Sequence, residues 1–298
     1  MRILIFIITI IASIGMIFGS ETASAVAEES NTLDWKEPVH AVAKWLHIIA
    51  GIMWIGLLYF FNFINGHLAA TYDPDSKKKV VPELMPRALY WFRWGAAWTW
   101  FTGVILLYVI FWHGNLSMGE TDGNTMFSEG VISPVSHTLI LVTFLAVFLY
   151  DAFYKSSLGK NTRVATIISF VFIGAFLWFL SCYGSFGYRA YNIHLGAMFG
   201  TIMAFNVWFR IWPAQQRIIT AIKGGEAPNA DDVGLAGLRS KHNTYMSVPL
   251  IWTMINQHHV TWDGMFGLNG LVWLLILVAL GWHVVFQLYK HSAKVKGF

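Results

Sequence analysis

Seven apolar runs, at about residues 40–64, 88–112, 134–154, 164–184, 191–212, 245–257 and 265–288, constrain this chain more than any motif it contains. Most approach the ~20 residues an α-helix needs to cross the hydrocarbon core of a bilayer. Backbone in hydrocarbon must satisfy its own N–H and C=O groups, so runs of this length predict helices. The expected fold is an all-α integral membrane protein, a bundle of about seven transmembrane helices. Composition agrees, with 56% hydrophobic and 12% charged residues against roughly 25% charged in an average soluble domain. Many of the 15 Trp, 23 Phe and 11 Tyr lie near segment ends, as aromatic belts at membrane interfaces do.

The N-terminus reads separately. Arg2 precedes an apolar stretch from Ile3 to Phe18, followed by Ala23-Ser24-Ala25 and Ala25-Val26-Ala27. A positive start, an apolar middle and small residues at a cleavage site describe a signal peptide. Residues 1–27 are therefore expected to be a signal peptide or an extra N-terminal membrane helix, and residues 28–298 the membrane domain. Either reading puts Glu28–Glu37 on the outer side.

Lys and Arg set the orientation, because cytoplasmic loops of membrane proteins carry the excess of them. Loops 65–87, 155–163 and 213–244 and the C-terminal tail hold Lys77, Lys78, Lys79, Arg87, Lys155, Lys160, Arg163, Arg217, Lys223, Arg239, Lys241, Lys290, Lys294 and Lys296. The opposite side has only Lys36, Lys44 and Arg189, and the 114–133 loop carries Glu120, Asp122 and Glu129 without a Lys or Arg. A multi-pass protein of a bacterial inner (cytoplasmic) membrane with a cytoplasmic C-terminus follows as the expectation. The net charge of +4 reports this asymmetry, and no nucleic-acid partner is expected.

The run at 245–257 is short and interrupted by Pro249, so its helix is expected to continue inward through Arg239, Lys241, His242 and Asn243. Proline is tolerated in a membrane helix when neighbours satisfy the freed carbonyl. Ala214–Lys223, with Ile218, Ile219 and Ile222 ahead of Gly224-Gly225, reads as a short interfacial helix or as a solvated loop.

Histidines carry the chemistry. Seven of the eleven fall at the outer end of the apolar runs: His40, His47, His113, His137, His194, His258 and His259. His67, His242, His283 and His291 lie toward the other end. Ligand-capable groups inside membrane segments default to a functional reading. His40 and His47 share a helix face about 10 Å apart along the axis, and His194 and His137 enter their segments from the same side. Imidazole ligates metals and haem iron, and bundles build such sites from facing helices. His47 and His194 are expected to bind a haem b or a metal such as copper, with His137 and His40 as further cofactor candidates. For His40, His113, His258 and His259 a hydrogen bond to a neighbouring helix or to a headgroup is the better reading. Gly196 with Gly200, Gly51, Gly56 and Gly103 suit close helix packing near these histidines. The single Cys182 and the absence of C-x-x-C-H exclude a cysteine metal site and an attached c-type haem.

Three blocks resemble one family. Trp45-Leu46-His47 with Gly51 and Trp54-Ile55-Gly56, then Phe61-Asn62-Phe63, form the first. His194-Leu195-Gly196 running on to Asn206-Val207-Trp208-Phe209-Arg210 and Trp212-Pro213 form the second, and Arg239-Ser240-Lys241-His242-Asn243 to Pro249 the third. Together they are similar to the membrane part of the bacterial membrane-bound, cytochrome c-linked urate oxidases. The resemblance implies an integral membrane enzyme that oxidises urate and passes electrons to a cytochrome c. The family's fused cytochrome c domain does not follow the last apolar run, so a separate cytochrome c is the expected acceptor.

A small anionic substrate such as urate needs a cationic donor with amide or hydroxyl partners. Arg189 and Asn192 near Tyr191 and His194 offer these on the outer side, and Arg239, His242 and Asn243 near Lys241 and Tyr245 on the inner side. Arginine suits bidentate recognition of planar anions, but the sequence does not rank the two places, and both sets also suit headgroup anchoring. The alternative function is a haem- or copper-binding membrane protein, either a b-type cytochrome subunit or a copper transporter. The charge asymmetry predicts that alkaline phosphatase fused at residue 122 is active and fused at the C-terminus is silent. The opposite pattern overturns the orientation.

Overall fold

The computed structural model describes residues 35–112, 134–256 and 264–297. Its contacts divide the chain into a unit Met1–Val39 and a unit His40–Phe298. Of the first, only residues 35–39 are described. His113, His258, His259, the 114–133 loop and the expected signal peptide lie outside the described residues.

The described chain is helical throughout, with no strand. It contains α1 (Lys36–Tyr59), α2 (Pro74–Leu107), α3 (Pro134–Phe153), α4 (Thr162–Trp178), α5 (Tyr188–Asn206), α6 (Trp212–Gly224), α7 (Ala230–Ile255) and α8 (Gly270–Ser292). Four of these run on into π-turns, at Phe60–Asn65, Tyr108–Trp112, Phe179–Tyr183 and Val207–Ile211. Five helical stretches are long and apolar enough to cross a membrane: Lys36–Ala69, Pro74–Trp112, Pro134–Phe153, Thr162–Tyr183 and Gly270–Ser292. They are compatible with a multi-pass membrane protein.

The other two expected segments correspond to α5 with its π-turn and to α7. These two pack against each other, and α2, α3 and α8 also lie against one or both of them. Their shared position explains their sequence. Helices screened from lipid by other helices can hold polar side chains, and Asn192, His194, Asn206, Arg239, Asn243, Thr244 and Ser247 are all buried there. Gly196 allows the α5–α7 contact, since a Cβ at that position would collide with the Thr253 side chain. Pro249 stays inside α7 and packs against Gly281 of α8, where an added Cβ would lie 2.9 Å from the proline ring.

Local signals act as physical chemistry dictates. Asp73 caps α2 by accepting from the backbone N–H groups of Asp75 and Ser76, as orphan donors at a helix start require. The Ser76 hydroxyl and these N–H groups hold the Asp73 carboxyl below the usual carboxylate range. The expected short helix near 214–223 is present as α6, closed by Gly225 in the left-handed conformation at φ 81°, where glycine pays no steric penalty. Ile218, Ile219 and Ile222 are buried, and α6 packs on α2 and α7. Protein, not lipid, covers its apolar face.

Candidate functional site

One carboxylate gathers one end of the bundle. Asp151 is an isolated acid near the end of α3 and is 6% exposed. The π-turn after α5 brings in Arg210, whose Nε donates to Oδ1 at 2.8 Å and whose Nη2 donates to Oδ2. Lys155, one turn beyond Asp151, contributes Nζ at 2.7 Å from Oδ2. From α7, Arg239 donates Nη2–H to Oδ1 at 3.0 Å. Arg239 is only 2% exposed, and an unpaired cation at such a position is prohibitively costly. Three cations thus converge on one carboxylate.

Arg239, His242 and Asn243 stand at i, i+3 and i+4 on α7, so they share a helix face. The Arg239 guanidinium lies 4.9 Å from the Tyr150 ring centroid and 5.7 Å from that of Tyr154, within cation–π range. The Tyr150 hydroxyl is 2.8 Å from His242 Nδ1. Asn206 of α5 spends its amide on both neighbours, donating to the Tyr150 hydroxyl at 2.9 Å and to Asn243 Oδ1 at 2.9 Å. Asn243 in turn donates to the Met203 carbonyl at 3.0 Å. The sequence-predicted inner set is therefore brought into one network, but not as an open anion site. Asp151 already balances Arg239, which stands behind the two tyrosines.

In front of those tyrosines lies a cavity of about 860 Å³ bounded by α3, α4, α5, α7 and α8. Phe153, Phe172, Ile173, Phe199, Trp282 and Phe286 form much of its wall, and Tyr150, Tyr154, Ser169 and His242 supply polar groups. The Tyr154 hydroxyl pairs with Ser169 Oγ at 3.0 Å, and its ring lies 4.3 Å from His242 centroid to centroid.

The other predicted substrate residues, Arg189 and Asn192, lie at the start of α5. Asn192 is fully buried and donates to the Thr253 carbonyl of α7 at 3.2 Å, while its Oδ1 has no partner among the described residues. Asn256 donates to the Tyr188 hydroxyl at 2.7 Å. Arg189 is half-buried on the first turn of α5. Deeper along α5, His194 is closed in. Its Nδ1 is 2.7 Å from the Ala190 carbonyl, so it donates there, and its Nε2 receives the Trp112 indole N–H at 3.3 Å. Phe186 and Phe111 pack edge-on against the ring at 5.0 and 6.5 Å.

His47 has a different environment. Its Nδ1 is 3.2 Å from Thr102 Oγ1, whose own proton goes to the Trp98 carbonyl. Gly103 makes room beside it, because a Cβ there would sit 3.0 Å from the imidazole Cε1. His40 is half-buried on α1 and His137 is exposed near the start of α3. No hydrogen bond or ring contact joins His47 to His194. A bis-His haem or a shared metal would need a free ring nitrogen from each, and His194 has both engaged. The pair does not fit that cofactor in this arrangement. Among the described residues no group of three or more His, Cys, Asp or Glu is placed to hold a metal ion.

Sequence reasoning missed Asp151, Tyr150, Asn206 and Arg210. An acid inside the apolar run 134–154 is itself a signal, since intramembrane ionisable groups are rare and need a partner.

Fold and site together define a helical, membrane-type bundle with a buried charge network at one end of its central pair of helices. The model of the family "Urate oxidase N-terminal" matches residues 71–296, from just before α2 to just beyond α8, and the chain belongs to that family. No curated protein and no solved structure matches.

Asn206 holds two acceptors at once, so Asn206→Leu should cost about 1–3 kcal/mol for the orphaned groups. Unfolding in mixed micelles measures it. A loss below about 0.5 kcal/mol would show that the network does not stabilise the bundle.

Proposed function

We propose that this protein is a membrane-bound oxidoreductase of the urate oxidase type, taking electrons from urate or a related small reductant and passing them to a cytochrome c. The observation that carries this reading is the family match, which spans α2 to α8 and includes both candidate substrate sets. The protein resides in a bacterial cytoplasmic membrane with its C-terminus inside, as the Lys/Arg asymmetry supports.

We assign the anion to the outer set, because the inner arginine is already committed to Asp151. Arg239 is buried behind tyrosines and paired with Asp151, so it acts by holding Tyr150 and His242 in place. Arg189 is half-buried at a helix start, close in sequence to Asn192, whose Oδ1 has no hydrogen-bond partner among the described residues. A carbonyl acceptor and a guanidinium match the N–H and oxygen edges of a planar urate anion. This is also the side from which a soluble cytochrome c collects electrons.

Membranes containing the protein should reduce added soluble cytochrome c when urate is supplied. Arg189→Gln should lower kcat/KM for urate about 10–100-fold, the loss expected for one charge-assisted contact, with insertion unchanged. Arg239→Lys keeps the charge but loses the planar fork, and should reduce folded yield more than KM. Absence of urate oxidation with any cytochrome c defeats the proposal and favours the haem- or copper-binding alternative.

A further inference from the structure

The cavity beside the charge network is used by none of the chemistry above, and its shape and polarity specify an occupant. Three of its lining residues, Leu149, Ile168 and Phe286, are 57%, 38% and 53% exposed. All three lie in helices apolar enough to cross a membrane. The cavity therefore opens sideways toward lipid, and a molecule enters it from the bilayer. Its walls are mostly aromatic and aliphatic, as for ligands held by burial with a few polar groups fixing orientation.

The direction of the hydrogen-bond chain fixes what the polar end offers. Asn243 donates Nδ2–H to the Met203 carbonyl, so its Oδ1 faces Asn206. Asn206 must then present its Nδ2 there, and the second N–H of that amide goes to the Tyr150 oxygen. With its oxygen accepting, the Tyr150 hydroxyl sends its one proton to His242 Nδ1. A neutral imidazole that accepts at Nδ1 carries its proton on Nε2. No described residue partners Nε2, and His242 lines the cavity. The polar end thus presents a neutral, directed N–H donor beside the face of Tyr154.

The nearby cations point elsewhere. Arg239 is paired with Asp151, and the Lys241 ammonium lies 5.5 Å over the Tyr289 ring, which is not part of the cavity wall. Lys160 and Lys241 both line the cavity, but the Lys241 ammonium is turned to Tyr289, and among the described residues no cation stands beside His242 Nε2 in a hydrogen bond. A neutral acceptor on a flat ring suits this end better than a phosphate, and an apolar tail suits the rest.

We propose that this cavity binds a lipid-soluble quinone, with one ring carbonyl accepting the His242 Nε2–H, the ring flanked by Tyr154, and the tail lying along Phe172, Phe199 and Phe286. The site is distinct from the outer residues given to urate, and its binding can be read without urate or cytochrome c.

The test is equilibrium binding of a decyl-tailed benzoquinone to the full chain in phosphatidylcholine nanodiscs, with empty nanodiscs as the blank. Saturation at one quinone per chain is expected. A tailless benzoquinone should bind far more weakly. His242→Leu should weaken binding about tenfold or more, as expected for loss of a buried hydrogen bond. Tyr150→Phe, which removes the proton that fixes the tautomer, should weaken it less. Thr166→Trp alters an exposed rim position without touching the core, and should block entry even if His242→Leu does not fold. Uptake no greater than in empty nanodiscs overturns the proposal. So does binding unchanged by Thr166→Trp, or native mass spectrometry showing a retained phospholipid that the quinone does not displace.

Discussion

A single buried carboxylate organises one end of this bundle. Asp151 on α3 receives Arg239 from α7 and Arg210 from the π-turn after α5, so three parts of the chain far apart in sequence are tied at one point. Arg239 can sit at 2% exposure only because that charge is met, for an ion pair stripped of water tolerates no missing partner. Lys155 and Arg210 carry the excess positive charge toward the surface, with side chains 61% and 23% exposed.

From that point the remaining polar groups fall into order. The guanidinium packs under Tyr150 and Tyr154, and Asn206 and Asn243 aim the Tyr150 hydroxyl at His242. The network is partly satisfied: Arg239 Nε and Nη1 and Asn206 Oδ1 have no hydrogen-bond partner among the described residues, a cost that the low-dielectric interior raises. Here the donors diverge from the Asn206 amide, one branch ending at the Met203 carbonyl through Asn243 and the other at the cavity wall through Tyr150 and His242. Packing, charge and hydrogen-bond polarity thus converge on one imidazole.

Much of the architecture was legible in the amino-acid sequence because hydrocarbon thickness and backbone satisfaction leave few options. The long apolar runs became helices, the α6 helix ended at its glycine, and α7 continued inward past Pro249 as expected. Five of the seven expected crossings are long and apolar enough by themselves, whereas α5 and α7 carry buried polar side chains where they pack together. Histidine depth is a weak guide to role for a similar reason. Depth along a segment says nothing about what meets the ring, and His194 meets Trp112, Phe186 and the Ala190 carbonyl. Arg239 showed the converse. Its charge suited a substrate anion or a headgroup, and the anion it meets is a side chain on another helix, Asp151. Contacts across 88 residues are invisible to local pattern.

The most direct test of this account is a double-mutant cycle on that pair, with Asp151→Asn, Arg239→Gln and the double variant unfolded in mixed micelles. If Asp151 is the counter-charge that permits Arg239 to be buried, each single change strands a partner. The double variant should then lose less than the sum of the two, with a coupling of about 1–3 kcal/mol. Losses that add to within about 0.5 kcal/mol would mean the two groups are independent, and the inner network would need another organising centre.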